Sequence, residues 1–212
     1  MKRRSNKALQ PTALPPLRCG KTAAELGVRR FLACPENRAF LNYNSSRNRT
    51  SMETREQKPV IVAAGQGKMF SVMGETITCK VSGDDTHGAY SVVEQLSPPQ
   101  GGVPLHIHQR EDEMFYILEG EYEICCGDQT FKATKGSLAI LPRGIPHGFR
   151  NVGTTPGKIL ETIIPAGFEK YFEELSQQPT DRPPDMKAII AIAQKYGLEY
   201  LPPSNDTGKS PP

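Results

Sequence analysis

The 212-residue chain contains four histidines, and three of them stand with one glutamate in a pattern that suits a metal ion. His106-Ile107-His108 reads as part of a strand, where side chains two apart point to one face. Both imidazoles can then reach one centre. Glu113 follows the short loop Gln109-Arg110-Glu111-Asp112, at the head of a second strand, Met114–Leu118. With Glu113 inward, Phe115 and Ile117 point inward as well. His147 follows the tight turn Pro142-Arg143-Gly144-Ile145-Pro146 and leads into a third strand. A lone histidine in a strand is an ordinary core residue. Three histidines and an acid turned inward are not, because each buried polar group without a partner costs about 1–3 kcal/mol.

Imidazole and carboxylate donors without thiolate suit Fe, Mn, Ni, Co or Zn. Four protein ligands would fill a tetrahedral zinc shell and leave no place for a substrate. Ions that accept five or six ligands keep an open position. A catalytic site built this way therefore favours Fe(II), Mn(II), Ni(II) or Co(II) over Zn(II). A carboxylate beside such an ion has a second use, as a base toward a substrate hydroxyl. Glu113 is thus a candidate ligand and a candidate catalytic residue; the plain alternative is a purely structural ligand. Phe115, Ile117 and Phe149 are candidate substrate-pocket residues, since an apolar lining fits an aromatic or enol compound. Their plain alternative is ordinary core, which is favoured for Ile117.

Strands must position these residues. Pro59–Ala64, Met69–Met73, Thr76–Val81 and Tyr90–Leu96 are short runs rich in Val, Ile, Thr and Tyr. Leu105–His108, Met114–Leu118, Tyr122–Cys126, Thr130–Ala133, Leu138–Leu141, Gly148–Asn151 and Ile159–Ile164 continue the series, with turn signals such as Glu119-Gly120 and Gly127-Asp128 between them. Many short strands at regular spacing predict an all-β antiparallel sandwich or barrel. The period changes after Pro165. Phe168, Tyr171, Phe172 and Leu175 recur at three and four residues and predict a helix with one apolar face. Pro183 and Pro184 open a second helix, Asp185–Tyr196, with Met186, Ile189, Ile190 and Ala193 as its stripe and Gly197 at its end. Both helices are expected to pack on the barrel or to cover one end.

The residues resemble the cupin superfamily. His106-x-His108-x4-Glu113-x6-Gly120 is similar to its first motif, and Gly136-x5-Pro142-x-Gly144-x2-His147-x3-Asn151 to its second, nine fixed positions in all. The glycine that usually opens the first motif falls at Gln100, where the adjacent Gly101 and Gly102 are expected to supply the turn. The resemblance covers about residues 59–165. It implies an antiparallel double-stranded β-helix, a jelly-roll barrel open at one end, with C-terminal helices. It implies His106, His108, Glu113 and His147 as metal ligands. The stretch after the barrel resembles that of bacterial single-domain cupins likened to quercetin 2,3-dioxygenase, whose matching glutamate acts as a base on the flavonol hydroxyl. The expectation is a metal-dependent dioxygenase-type oxidoreductase acting on a small enol or aromatic hydroxyl compound. A metal-dependent isomerase or decarboxylase, and a non-catalytic small-molecule binding cupin, stand beside it. The resemblance also implies a homodimer.

Composition bounds the rest. Net charge is +3, yet residues 1–50 carry eleven Lys/Arg against two acids and the other 162 carry fifteen against twenty-one. The basic balance belongs to the N-terminus, so no nucleic-acid partner is expected. No apolar run approaches eighteen residues, which predicts no membrane span. The five cysteines have no framework spacing and no secretory signal is visible, so the expected compartment is the cytoplasm. Residues 1–57 are expected to be a disordered extension; a transit peptide and a translation start at Met52 are the other readings. The barrel is expected over 58–165, the helices over 166–200, and a loose tail over 201–212. His87 sits in a polar loop and reads as solvated, and Arg110, Glu111 and Asp112 read as a solvated charged loop near the barrel mouth. Arg110 and Arg143 are also readable as partners for an anionic substrate.

Overall fold

A computed structural model describes residues 59–179 and 184–202. The expectations for residues 1–57, for Pro183 and for the tail beyond Pro202 lie outside the described residues.

Among the described residues, eleven strands form two antiparallel sheets. The first takes the order β1-β2-β3-β10-β5-β8, from β1 (Lys68–Val72), β2 (Glu75–Val81), β3 (Ser91–Ser97), β10 (Gly157–Ile164), β5 (Asp112–Glu119) and β8 (Leu138–Leu141). The second takes the order β11-β4-β9-β6-β7, from β11 (Leu198–Tyr200), β4 (Gly102–His108), β9 (His147–Asn151), β6 (Glu121–Cys126) and β7 (Gln129–Thr134). Neighbours far apart in sequence, such as β3 with β10 and β4 with β9, mark the jelly-roll crossovers. The sheets do not close on each other into a continuous barrel.

Alternation decides what faces inward. On β5, Glu113, Phe115 and Ile117 are buried while Met114 and Tyr116 are not. On β10 the buried set is Gly157, Ile159, Glu161 and Ile163. Phe115, Ile117, Tyr122, Ile124, Leu141, Phe149 and Ile159 fill one part of the interior. The other part is built with the helices. Phe168, Tyr171, Phe172 and Leu175 on or beside α1 (Glu169–Ser176) join Phe70, Val72, Ile77 and Ile163 from the first sheet. Ile189, Ile192 and Ala193 of α2 (Met186–Lys195) complete that cluster. Each large apolar side chain so buried contributes roughly 1.5–3 kcal/mol. Asp185 caps α2, accepting from the backbone N–H groups of Lys187 and Ala188. No helix among the described residues is long and apolar enough to cross a membrane.

Three local expectations are corrected. Pro59–Ala64 forms no strand, because no neighbouring strand pairs with it among the described residues. Leu198–Tyr200 forms a strand that the sequence did not announce, paired with β4. Leu201 continues along it, its N–H donating to the Leu105 carbonyl at 2.9 Å. Finally, Gln100 itself takes the left-handed turn, with φ 63°. Gly102 serves a different need: at φ 152°, a Cβ there would lie 2.1 Å from the Phe149 carbonyl oxygen.

Candidate metal centre

The second sheet supplies the three imidazoles and the first sheet the carboxylate. His106 and His108 lie on β4, and His147 lies directly opposite His106 on the adjacent β9. A register shift between Val103 and His106 marks a bulge just before the histidine pair, the kind of device that re-aims side chains beside a site. Glu113 enters from β5 across the interior. Asn151, the last residue of the second motif, pins the loop between β3 and β4. Its amide donates to the carbonyls of Ser97, Pro98 and Thr155, and its oxygen accepts from the Gly153 N–H.

The four residues offer ligand atoms that all lie within 4.8 Å of one another, and all four are buried. Each ring is oriented from behind. His106 Nδ1 donates to the Pro104 carbonyl at 2.8 Å, and His147 Nδ1 to the Ile145 carbonyl at 2.9 Å. Both therefore present Nε2 to the centre, the arrangement by which outer groups fix a ligating histidine. His108 Nδ1 faces the Glu111 carboxylate at 3.5 Å, too long for a good hydrogen bond but close for an ion pair. Phe168 packs edge-on against the His108 ring, with centroids 4.3 Å apart.

The four side chains interact directly with one another. His108 Nε2 lies 3.0 Å from Glu113 Oε1, and His147 Nε2 lies 3.1 Å from Glu113 Oε2. Burial, reinforced by the neighbouring His147 and His108, holds His106 well below its ordinary value, so that ring is neutral. Burial also opposes charge on His108, but Glu113 and Glu111 outweigh it and push that imidazole up to about 9. Burial would raise the Glu113 carboxyl; His108 and His147 outweigh it and hold it well below the usual carboxylate range. His108 and Glu113 thus face each other at the centre as an imidazole–carboxylate pair. The donor set fits a divalent ion: three oriented imidazoles, one carboxylate, no thiolate.

The structure adds residues that the sequence reading passed over. Glu161, on β10, is buried beside the cluster. Its own burial and the charge of Glu113 raise it well above the usual range, so it is a neutral acid hydrogen-bonded to Glu113. Its signal was present in Ile159-x-Glu161-x-Ile163, an acid at an inward position between two core residues. Glu111, read as solvated, is instead buried against His108. Asp112 and Arg143 are paired with each other through two hydrogen bonds from the guanidinium and one from the Arg143 N–H. This pairing holds the Asp112 carboxyl down at about 2. His87 is exposed.

A cavity of about 480 Å³ opens onto the centre. His106, His108, Glu113 and Glu161 contribute its polar wall, and Phe115 and Phe149 part of its apolar wall. Ile117 does not line it; it packs in the core one pair further along β5, opposite Ile159. Glu75 and Gln95 also face the cavity. The Glu75 carboxylate accepts from Ser97 Oγ and from Gln95 Nε2 at 3.2 Å. Burial raises the Glu75 carboxyl despite these donors.

Comparison with known proteins agrees with this geometry. Residues 93–163, from β3 to β10, match the cupin domain family, and that stretch contains all four cluster residues. Quercetin 2,3-dioxygenase of Bacillus subtilis is 24% identical over 96 residues, which are 45% of this chain and 28% of that protein. An uncharacterized protein of Methanocaldococcus jannaschii is 34% identical over 70 residues, 33% of this chain and 56% of that one. The chain thus spans little more than half of these relatives' length at most. Among solved structures, a predicted oxalate decarboxylase from Thermotoga maritima superposes with TM-score 0.46 at 24% identity, over 50% of this chain and 98% of that one. With its strand order, its buried cluster of three histidines and one glutamate, and these sequence matches, the chain carries a cupin domain over residues 93–163 and has quercetin dioxygenase-like relatives.

Proposed function

We propose that this cupin is a metal-dependent oxidoreductase of the dioxygenase type, acting on a small enol or aromatic hydroxyl compound. One observation carries the proposal: three imidazoles oriented by backbone carbonyls or a carboxylate meet Glu113 at the wall of a largely apolar cavity. His106, His108, Glu113 and His147 would hold the ion. Fe(II), Mn(II), Ni(II) and Co(II) fit better than Zn(II), since four protein ligands complete a tetrahedral shell. The ion would supply Lewis-acid polarisation of a ligand oxygen and, where redox-active, an electron path to O2.

The protein's own part is binding and proton handling. Phe115 and Phe149 provide flat apolar contact for a ring and limit access of water. Glu113, held ionised, is the base candidate for the ligand hydroxyl. Glu161, neutral and hydrogen-bonded to Glu113, holds that carboxylate in place. A second reading, an isomerase or decarboxylase, needs the same ion and no oxygen. The homodimer also stays a proposal. β8 is a sheet edge with Leu138 and Ile140 exposed, a strand that a second copy would cover; a monomeric mass by sedimentation would remove it.

The test is elemental analysis of protein purified without added metal, together with oxygen uptake on flavonols and small enols. Near-stoichiometric metal and substrate-dependent oxygen consumption are expected. Substoichiometric metal after gentle purification would overturn the proposal, and turnover that persists without oxygen would favour the second reading.

A further inference from the structure

Two phenols in the cavity take no part in that reading. Tyr171 of α1 and Tyr200 of β11 both line it, and their hydroxyl oxygens lie 2.8 Å apart. Each phenol brings one proton. The bond between them uses one, and no other protein acceptor meets either hydroxyl among the described residues. One O–H is therefore left to donate into the cavity. Tyr171 is the enclosed member, 3% exposed and packed against Phe168, Phe172 and Tyr196. Tyr200 is less buried. It stands opposite His106 across the β4–β11 pair, with its ring centroid 6.2 Å from that imidazole. Tyr171 is thus placed to donate to Tyr200, and Tyr200 to whatever lies beside the cluster.

Resting on the metal reading above, we infer that Tyr200, oriented by Tyr171, is a ligand-binding residue that donates a hydrogen bond to an oxygen of the molecule held at the His106–His108–Glu113–His147 centre. The cavity then selects ligands with two neighbouring oxygens, one for the centre and one for the phenol. Hydroxyketones and enediolates have that chemistry. A partly anionic oxygen strengthens the bond, since charge-assisted hydrogen bonds are about twice as strong as neutral ones. Burial raises both phenols above their ordinary value, which keeps them protonated donors at neutral pH.

The test uses the full chain loaded with Co(II), whose visible spectrum reports ligand binding. Two probes are titrated: kojic acid, a hydroxypyranone with neighbouring hydroxyl and keto oxygens, and azide, which occupies only the metal. Y200F removes one hydroxyl and keeps the ring. It is expected to weaken kojic acid binding tenfold or more, about 1.4 kcal/mol per tenfold, with Co(II) content and azide affinity unchanged. Y171F leaves the Tyr200 O–H in place and is expected to cost less. Four results would overturn the inference: wild-type affinity in Y200F, a loss in Y171F as large as in Y200F, an equal loss for both probes, or no kojic acid binding to the Co(II)-loaded wild type. Failure of the wild type to take up Co(II) is a separate result, which would remove the metal reading and this inference with it.

Discussion

Replacing Glu113 by glutamine in the metal-free protein should cost stability at low pH and little at high pH. The reason lies in the imidazole–carboxylate pair at the centre. His108 rises from 6.5 to about 9 in the folded protein, through Glu113 and Glu111 acting against burial. That is two and a half units, or about 3 kcal/mol at 1.36 kcal/mol per unit. The sign follows from the direction. A raised imidazole stabilises the fold fully below 6.5 and loses that contribution as pH rises through about 9. His108 is almost wholly buried, so solvent screening removes little of it. Glutamine removes one of the two negative partners and lets His108 fall toward the lower value that burial and the remaining Glu111 together set. The expected penalty is at most about 3 kcal/mol near pH 6, because Glu111 keeps part of the effect, and close to zero near pH 9.5, where the wild-type ring is largely neutral. Glu161 lightens the penalty somewhat, since it no longer faces a charged neighbour.

Urea denaturation in the presence of a chelator, at the two pH values, measures both differences directly. A penalty that is equal at the two pH values, or larger at the higher one, would refute the reasoning. The loaded protein provides the converse check. A metal ion must displace the His108 proton, so metal affinity should climb between pH 6 and 9, with release of a proton on binding.

Other expectations follow from single contacts. Gly102→Ala puts a methyl where only 2.1 Å separates it from the Phe149 carbonyl oxygen. It should destabilise the fold by roughly 3 kcal/mol or more, read from the thermal midpoint. Glu111→Gln removes the charge behind His108 Nδ1 at 3.5 Å. It should weaken metal binding roughly 10- to 100-fold in a competition titration while the fold persists. Arg143→Ala breaks a pair whose two side chains are 46% and 40% exposed. It should leave the thermal midpoint nearly unchanged despite the short 2.7 Å contact, because solvent screens an exposed pair.

The cluster of His106, His108, Glu113 and His147 was legible because strand period and motif spacing both mark its members. In His106-x-His108 the strand period alone puts two imidazoles on one face. In Met114–Leu118 the same period assigns Glu113 and Phe115 inward, and both are buried. The fixed positions from Gly120 to Asn151 report turns that bring β9 beside β4, and Asn151 holds four backbone groups with one side chain. The helix after Pro165 was legible for a similar reason, through apolar residues three and four apart.

What escaped depends on pairings between distant segments. β11 is three residues long, and Leu198-Glu199-Tyr200 has no period to read. It is a strand because β4, some ninety residues earlier, offers a free edge to it. Tyr200 becomes a cavity residue only through that pairing, and its hydroxyl finds Tyr171 only because α1 packs over the same end of the sheets. Glu111 looked solvated because its neighbours Arg110 and Asp112 are charged. A single turn of backbone, however, sends Asp112 out to Arg143 and Glu111 in to His108. Glu161 is the instructive case. Its inward position follows from Ile159 and Ile163, yet an acid there conflicts with burial until Glu113 is known to lie beside it. His106 and His108 can thus be read from spacing within one strand, and Glu113 and His147 from the motif positions, whereas the groups that tune and surround the four require the register between strands.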